Sequence, residues 1–310
     1  MLNFTDRGGV LNRGALLAVG AYVLWGLFPI YWKQLHSVAA VEIIAHRVIW
    51  SLVFVAGVVV ASGRLKTFLS SIRSLKVVMI YALEGALLTI NWTTYVWGVN
   101  AGYVVEASLG YFINPLVSVL LGVIFLRERL RPWQWAAIAI ATIGVVYLAV
   151  RYGSLPWIGL VLAFTFGIYG LIKKCASLEA MEGQALEMAV IALPALAYLL
   201  FLESQGIGTF GHNLKLSGLL ALAGAVTATP LLMFAAAARR IPLSMVGILQ
   251  YIAPSLQFSI GVWVYGEEFS TVRLTGFCFI WAALAIYTLE GLYVRRRAQL
   301  EDTVKVEPVS

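Results

Sequence analysis

Charge is scarce in this sequence. Asp, Glu, Lys and Arg make up 12% of its 310 residues, against roughly 25% in soluble domains. That scarcity excludes an ordinary domain folded in water. Cysteine is scarcer still: Cys175 and Cys278 fall in or near different apolar runs, show no metal-ligand spacing and give no disulfide framework. His36, His46 and His212 are scattered, so the paired histidines of a zinc protease are absent, as is a GxSxG elbow. Without a GxxxxGK[ST] loop, ATP-driven pumping by this chain alone is not expected. Voltage-sensor ladders of arginine are missing too. The sequence therefore calls for no metal and no cofactor.

What remains is apolar. Hydrophobic residues are 61% of the chain, with ten tryptophans, and a bilayer-spanning helix needs about 20 such residues in a row. Ten runs qualify: 11–33, 41–62, 75–98, 104–126, 132–150, 155–173, 183–202, 216–238, 244–265 and 271–293. The first is too long for a signal-peptide core and lacks a small-residue cleavage site, so it reads as a retained helix. The fold class expected is an all-α membrane protein of ten transmembrane helices, followed by a disordered tail over 298–310. The net charge of +7 would suit nucleic acid or an anionic membrane surface, and its distribution favours the membrane. With the N-terminus inside, 17 of the 22 basic residues fall in cytoplasmic segments. Lysine and arginine are retained there, so both termini are expected in the cytoplasm.

The chain is self-similar at an offset of 139. Residues 107–128, ASLGYFINPLVSVLLGVIFLRE, lie without gaps on 246–267, VGILQYIAPSLQFSIGVWVYGE. Ile113, Pro115, Gly122, Val123 and Glu128 meet Ile252, Pro254, Gly261, Val262 and Glu267. At an offset of 141, Gly26 and Lys33 meet Gly167 and Lys174. A five-helix unit is odd, so its second copy runs upside down. The basic residues swap accordingly: Arg127, Arg129 and Arg131 follow span four, and no base stands at the matching positions after span nine. Two repeats, 1–150 and 151–297, are expected. Inverted repeats are a transporter architecture with the substrate near the midplane.

Polar residues inside the runs name candidate sites. In GYFINP (110–115), Pro115 cannot donate to the carbonyl of Tyr111 and should kink span four. Tyr111, Asn114 and Ser118 share one face, and Gln250 and Gln257 stand at the places of Tyr111 and Ser118, with Tyr251 beside them. Kinks at Pro115 and Pro254 either frame a binding site or shape the bundle. Span three adds Asn91 and Tyr95, with Glu84 ~10 Å deep. An ionisable residue there is a functional candidate, for proton coupling or as the partner of the basic cytoplasmic loop. Glu42 and His46 are one turn apart at the outer side, and the ordinary pKa of a histidine side chain lies near neutrality. With Arg47, too deep for a rim charge, they form a second coupling candidate or a pair pinning spans one and two. Glu128 and Glu267 close matching helices and read as structural. Trp25, Trp92, Trp97 and Trp281 are candidates to line a cavity for flat solutes.

The stretches AYVLWGLFPIYWK, EIIAHRVIWS, INWTTYVWGVN, EASLGYFINPLVSVLLGVIFLRERLRPWQW, FAAAARRIPLSMVGILQYIAPSLQF and GFCFIWAALAIYTLEGL closely resemble the RarD family. These are bacterial EamA-type permeases of the drug/metabolite transporter superfamily, and the resemblance covers about residues 11–293. It implies two inverted five-helix halves in the bacterial inner membrane around a cavity lined by spans one, three, four, six, eight and nine. The family name is tied to chloramphenicol sensitivity, and relatives in the superfamily export amino acids and other metabolites. The reading is a secondary active permease, not an enzyme, exporting small amphipathic or aromatic metabolites or drugs by alternating access. Its partners are a small-molecule substrate, the lipid bilayer and a coupling proton, with no nucleic acid and no particular oligomeric state implied. A channel or sensor, and a membrane-embedded enzyme, are the alternatives.

Overall fold

A computed structural model describes residues 4–101, 103–153, 156–266 and 271–306; within these, residues 4–12, 71, 100, 104–106, 152, 273 and 295–306 are described by their backbone alone. Glu267 lies outside the described residues. Among them there are helices and no strand: α1 (Phe4–Trp32), α2 (Ala40–Ala61), α3 (Leu65–Ser71), α4 (Leu75–Asn100), α5 (Val104–Phe125), α6 (Pro132–Tyr152), α7 (Trp157–Cys175), α8 (Ala180–Ser204), α9 (Leu214–Ala238), α10 (Leu243–Leu249), α11 (Ile252–Trp263) and α12 (Thr271–Val306). Ten spans are long and apolar enough to cross a membrane, with α10 and α11 together forming the ninth. Local chemistry sets several ends. Pro132 opens α6 while the Arg131 amide donates to Gln134 Oε1 at 2.9 Å, and Gly153 closes it in the left-handed conformation (φ 78°). Asn213 Oδ1 accepts from the Leu216 amide to start α9.

Three features depart from the sequence expectation. The seven-residue α3 lies between spans two and three, with Phe68 packed against Val55, Val59, Ala185 and Ala228. The two prolines act differently: α5 runs unbroken past Pro115, whereas span nine breaks at Gln250 and Tyr251. At that break the Gln250 carbonyl, freed by Pro254, accepts from Ala253 three residues on at 3.2 Å. The tail also differs. Rather than being disordered from 298, α12 continues to Val306, as the helix-forming residues Ala298, Gln299, Leu300 and Glu301 allow.

Helix packing repeats between the halves. α1 packs on α9 and α11, as α7 packs on α4 and α5; α2 packs on α9, as α8 packs on α4. The pairs α2–α8, α5–α10 and α6–α12 map onto themselves on exchange. Small residues make the closest approaches, as expected where lipid supplies no hydrophobic drive between helices. A Cβ on Gly26 would lie 2.7 Å from Leu256, and one on Gly167 would lie 2.8 Å from Val117. One on Gly224 would lie 2.2 Å from the Trp50 carbonyl carbon, and one on Gly85 would lie 2.8 Å from Ile191. Positions 117 and 256, and 85 and 224, are 139 apart; positions 50 and 191 are 141 apart. Tyr251 donates to the carbonyl of Phe112 at 3.1 Å, again across 139 residues. Equivalent positions meet there.

Candidate functional site

A cavity of about 330 Å³ opens between the halves, within the range of small-molecule sites. Its wall takes Tyr22, Trp25, Phe28, Pro29 and Trp32 from α1, Arg47 from α2, Leu88, Asn91, Trp92 and Tyr95 from α4, and Gly110, Tyr111 and Asn114 from α5. The second half adds Leu162 and Phe166 from α7, Thr227 and Leu231 from α9, and Gln250, Ala253, Pro254 and Gln257 around the break in span nine. Most of these lie from mid-span toward the face opposite the termini. The resemblance implied six lining spans; Arg47 brings in α2 as a seventh.

Arg47 is held on three sides. Its Nε donates to Thr227 Oγ1 at 2.9 Å, and its guanidinium carbon lies 4.4 Å and 4.8 Å from the ring centres of Trp92 and Trp32. Tyr95 and Tyr111 meet edge to face at 5.8 Å, and Trp25 packs on Tyr22, Phe166 and Phe234. The amides divide into two groups. Asn91 Nδ2 donates to Leu162 O and Thr165 Oγ1, both at 2.9 Å, and Gln257 Nε2 donates to Trp25 O at 3.1 Å. Asn114 Oδ1 and Gln250 Oε1 are buried with no partner.

Of the candidates read from the sequence, Trp25, Asn91, Tyr95, Tyr111, Asn114, Gln250 and Gln257 share this wall, with Trp92 and Arg47. Tyr251 does not. Its ring is wholly buried and its hydroxyl is spent on Phe112 O, because the break in span nine turns it toward α5. Trp97 stacks on Tyr103 and packs on Trp157. Trp281 donates to Ser255 Oγ at 3.0 Å. Both lie away from the cavity.

Glu84 sits elsewhere, toward the face that bears the termini. Its Oε2 is 2.7 Å from Lys173 Nζ, which is also 2.6 Å from Glu187 Oε2. Tyr169 donates to Glu187 at 3.4 Å, and the rings of Tyr169 and Tyr81 lie 5.2 Å and 5.5 Å from the ammonium. Two fully buried carboxylates therefore share one cation. Glu84 pairs with this lysine inside α7 and not with the basic loop, one of the two alternatives left open by the sequence. Glu187 stands inside the seventh apolar run, near its start, the signal that would have found it; Lys173, beside Lys174 at a helix end, resembles a loop charge.

On the opposite face, Glu42 accepts from the Thr209 amide and hydroxyl at 2.7 and 3.0 Å. It thus pins span two to the α8–α9 loop, not to span one. His46 lies 3.9 Å from Glu42 and stacks on Phe210. The terminal face carries ties between the halves, at Glu128 and Arg64, and others within the second half, at Lys174 and Arg239. Glu128 accepts from the amides of Leu243 and Ser244 at 2.6 and 2.9 Å. Arg127, in the left-handed region at φ 53°, turns the chain back for this, and a Cβ on Gly122 would lie 2.8 Å from Glu128 Oε2. Lys174 donates to Ala238 O and Ile241 O, and Arg239 to Ala176 O and Leu178 O. Arg64 bridges Glu179 and Glu182 at 2.9 and 3.0 Å. The hydrogen bond and charge of Arg64 hold the Glu179 carboxyl below its usual range.

Ten apolar helices make this a multi-pass membrane protein, and the comparisons give its class. Residues 12–150 match the EamA-like transporter family. Protein RarD of Streptomyces exfoliatus is 47% identical over 289 residues, covering 93% of this chain and 92% of that one. The uncharacterized transporter YojE of Bacillus subtilis is 45% identical, covering 93% and 97%. A crystal structure at 18% identity superposes with a TM-score of 0.70, covering 91% of this chain and 99% of its own, and speaks for the fold alone. The protein is a membrane transporter, not an enzyme. It belongs to the EamA-like transporter family, among the RarD proteins.

Proposed function

We propose that the chain is a secondary active permease of the bacterial inner membrane, exporting a small amphipathic or aromatic metabolite or drug by alternating access. One observation carries most weight: the cavity wall is shared between Trp25, Tyr95, Tyr111 and Asn114 of the first half and Gln250 and Gln257 of the second. A site held between two halves opens to either side when one rocks against the other. The exchange of helix contacts between halves supports two five-helix repeats, 1–150 and 151–297, the second inverted. The ties at Glu128 and Arg64 join the halves at the terminal face and hold it closed in this reading, so the cavity addresses the outside. Coupling is assigned to the proton and to Glu84, whose cluster with Lys173, Glu187, Tyr169 and Tyr81 holds one carboxylate more than it has ammonium groups. Saturable, pH-gradient-driven flux in proteoliposomes tests this against a channel, which conducts without saturation.

Both termini are assigned to the cytoplasm. In a background without the free, exposed Cys175 and Cys278, a cysteine at exposed Ile207 should react with an impermeant reagent from outside. One at exposed Lys66 should react only from inside. External reaction at position 66 rejects the topology and the inverted repeat.

The amides test the site. Asn114→Ala and Gln250→Ala each remove a buried oxygen that has no partner in the protein. Loss of a protein hydrogen bond should therefore add little to their instability. Loss of a hydrogen bond to substrate should cost ~1–2 kcal/mol, roughly tenfold in apparent affinity. Measured per folded molecule, unchanged affinity in both variants with lowered thermal stability would make these amides packing devices.

A further inference from the structure

We infer that the cavity takes an anionic substrate, a small carboxylate on a flat apolar body, and that Arg47 receives the carboxylate. This rests on the permease reading above and narrows its substrate. Among the described residues, Arg47 is the one charged side chain on the cavity wall, and no acidic residue lines it. It makes no ion pair with any described carboxylate, in contrast to Lys173, Arg64 and Arg131. A guanidinium partly withdrawn from water at membrane depth without a counter-ion is costly. In a protein whose other buried cation, Lys173, is paired with carboxylates, an unpaired one there calls for an anion that the protein does not itself supply.

The geometry fits that occupant. Only Nε is engaged, on Thr227 Oγ1. The two terminal nitrogens donate to no described group and are not enclosed by protein, so their edge borders the cavity. That edge is the fork which binds a carboxylate through two parallel hydrogen bonds. Trp32 and Trp92 lie close to the guanidinium and fix it before a ligand arrives. Delocalised charge on aromatic faces also makes burial of an arginine bearable where a lysine would be lost. Away from the cation, the walls are aromatic: Trp25, Phe28, Tyr95, Tyr111 and Phe166. The unpartnered oxygens of Asn114 and Gln250 are acceptors that favour a hydrogen-bond donor elsewhere on the solute. The recognised pattern is thus one anionic group, a flat body and a donor.

The test compares three series on shared scaffolds: phenylacetate and indole-3-acetate, their primary amides, and the corresponding amines, phenethylamine and tryptamine. Binding to the purified full-length chain in detergent is read by tryptophan fluorescence and by thermal shift. The carboxylates should bind roughly tenfold to a hundredfold more tightly than their amides, and the amines least. In Arg47→Gln the carboxylate-to-amide ratio should collapse toward one, and Arg47→Lys should keep part of it, as a point charge without the fork. The wild-type comparison stands even if a variant fails to fold. Equal binding of carboxylate and amide, tighter binding of the amine, or a preference that survives Arg47→Gln would overturn the inference and leave the cavity as a binding site. Binding by no member of the three series would count against both the anion preference and the permease site proposed above.

Discussion

Replacing Lys173 with methionine is expected to cost the folded protein about 3–5 kcal/mol, the usual penalty for stripping one partner from a buried ion pair. The lysine is the one ammonium between the fully buried carboxylates of Glu84 and Glu187, at 2.7 and 2.6 Å. Methionine fills the space but leaves both carboxylates without a cation in a medium where an isolated charge is dear. The triple variant Lys173→Met, Glu84→Gln, Glu187→Gln should recover most of the loss, because no charge is left stranded. Acid should also help the single variant, by protonating the two carboxylates. The measurement is the fraction of protein remaining folded after graded heating in detergent. A single variant that melts like wild type, or a triple variant that melts like the single one, would show that this cluster is not held by charge.

Glu84→Gln should act in the opposite way: it should fold, and transport should no longer respond to a pH gradient. Glutamine keeps the shape and one acceptor oxygen, and Lys173 still has Glu187. The cluster then has one carboxylate for one ammonium and no surplus negative charge on which to carry a proton. His46→Gln is the comparator. His46 sits on the opposite face against Glu42 and Phe210, and its replacement should leave the response in place. In proteoliposomes with an imposed gradient, wild-type acceleration by Glu84→Gln rejects Glu84 as the coupling residue. Loss of response in His46→Gln alone would move coupling to the outer pair.

Much of the fold was legible because hydrocarbon imposes length and composition on every span. The ten runs correspond to the ten apolar stretches of the helices that can cross a membrane, with ends displaced by at most three residues. What escaped was local. Seven residues of α3 are too few to show a helical period, and Pro115 and Pro254 stand in matching sequences yet only the second breaks its helix. That difference depends on neighbours: a carbonyl freed by proline can be satisfied by a donor three residues on, as at Gln250, and no pattern of apolar residues reports it. The cavity wall was legible where one helix face carried several polar residues, as with Tyr111 and Asn114 or Asn91 and Tyr95. Arg47 was conspicuous by its depth, but its partner Thr227 lies 180 residues away. The grouping of Glu84 with Lys173 and Glu187 likewise needs three helices brought together.

The repeated contacts have a consequence for how the chain has specialised. Since Gly26 on Leu256 answers to Gly167 on Val117, and Gly224 on Trp50 to Gly85 on Ile191, each place in one half has a definable twin in the other. Glu84 is twinned with Ala223, Arg47 with Met188, Glu187 with His46, and Lys173 with Trp32, the same tryptophan that flanks Arg47. The glycines that set helix spacing are therefore duplicated, while the charges of the acid cluster and of Arg47 are not. Architecture is kept in two copies and chemistry in one. A transporter whose halves were identical would be unable to tell its two faces apart; here the acid cluster and Arg47 mark opposite ends of the bundle.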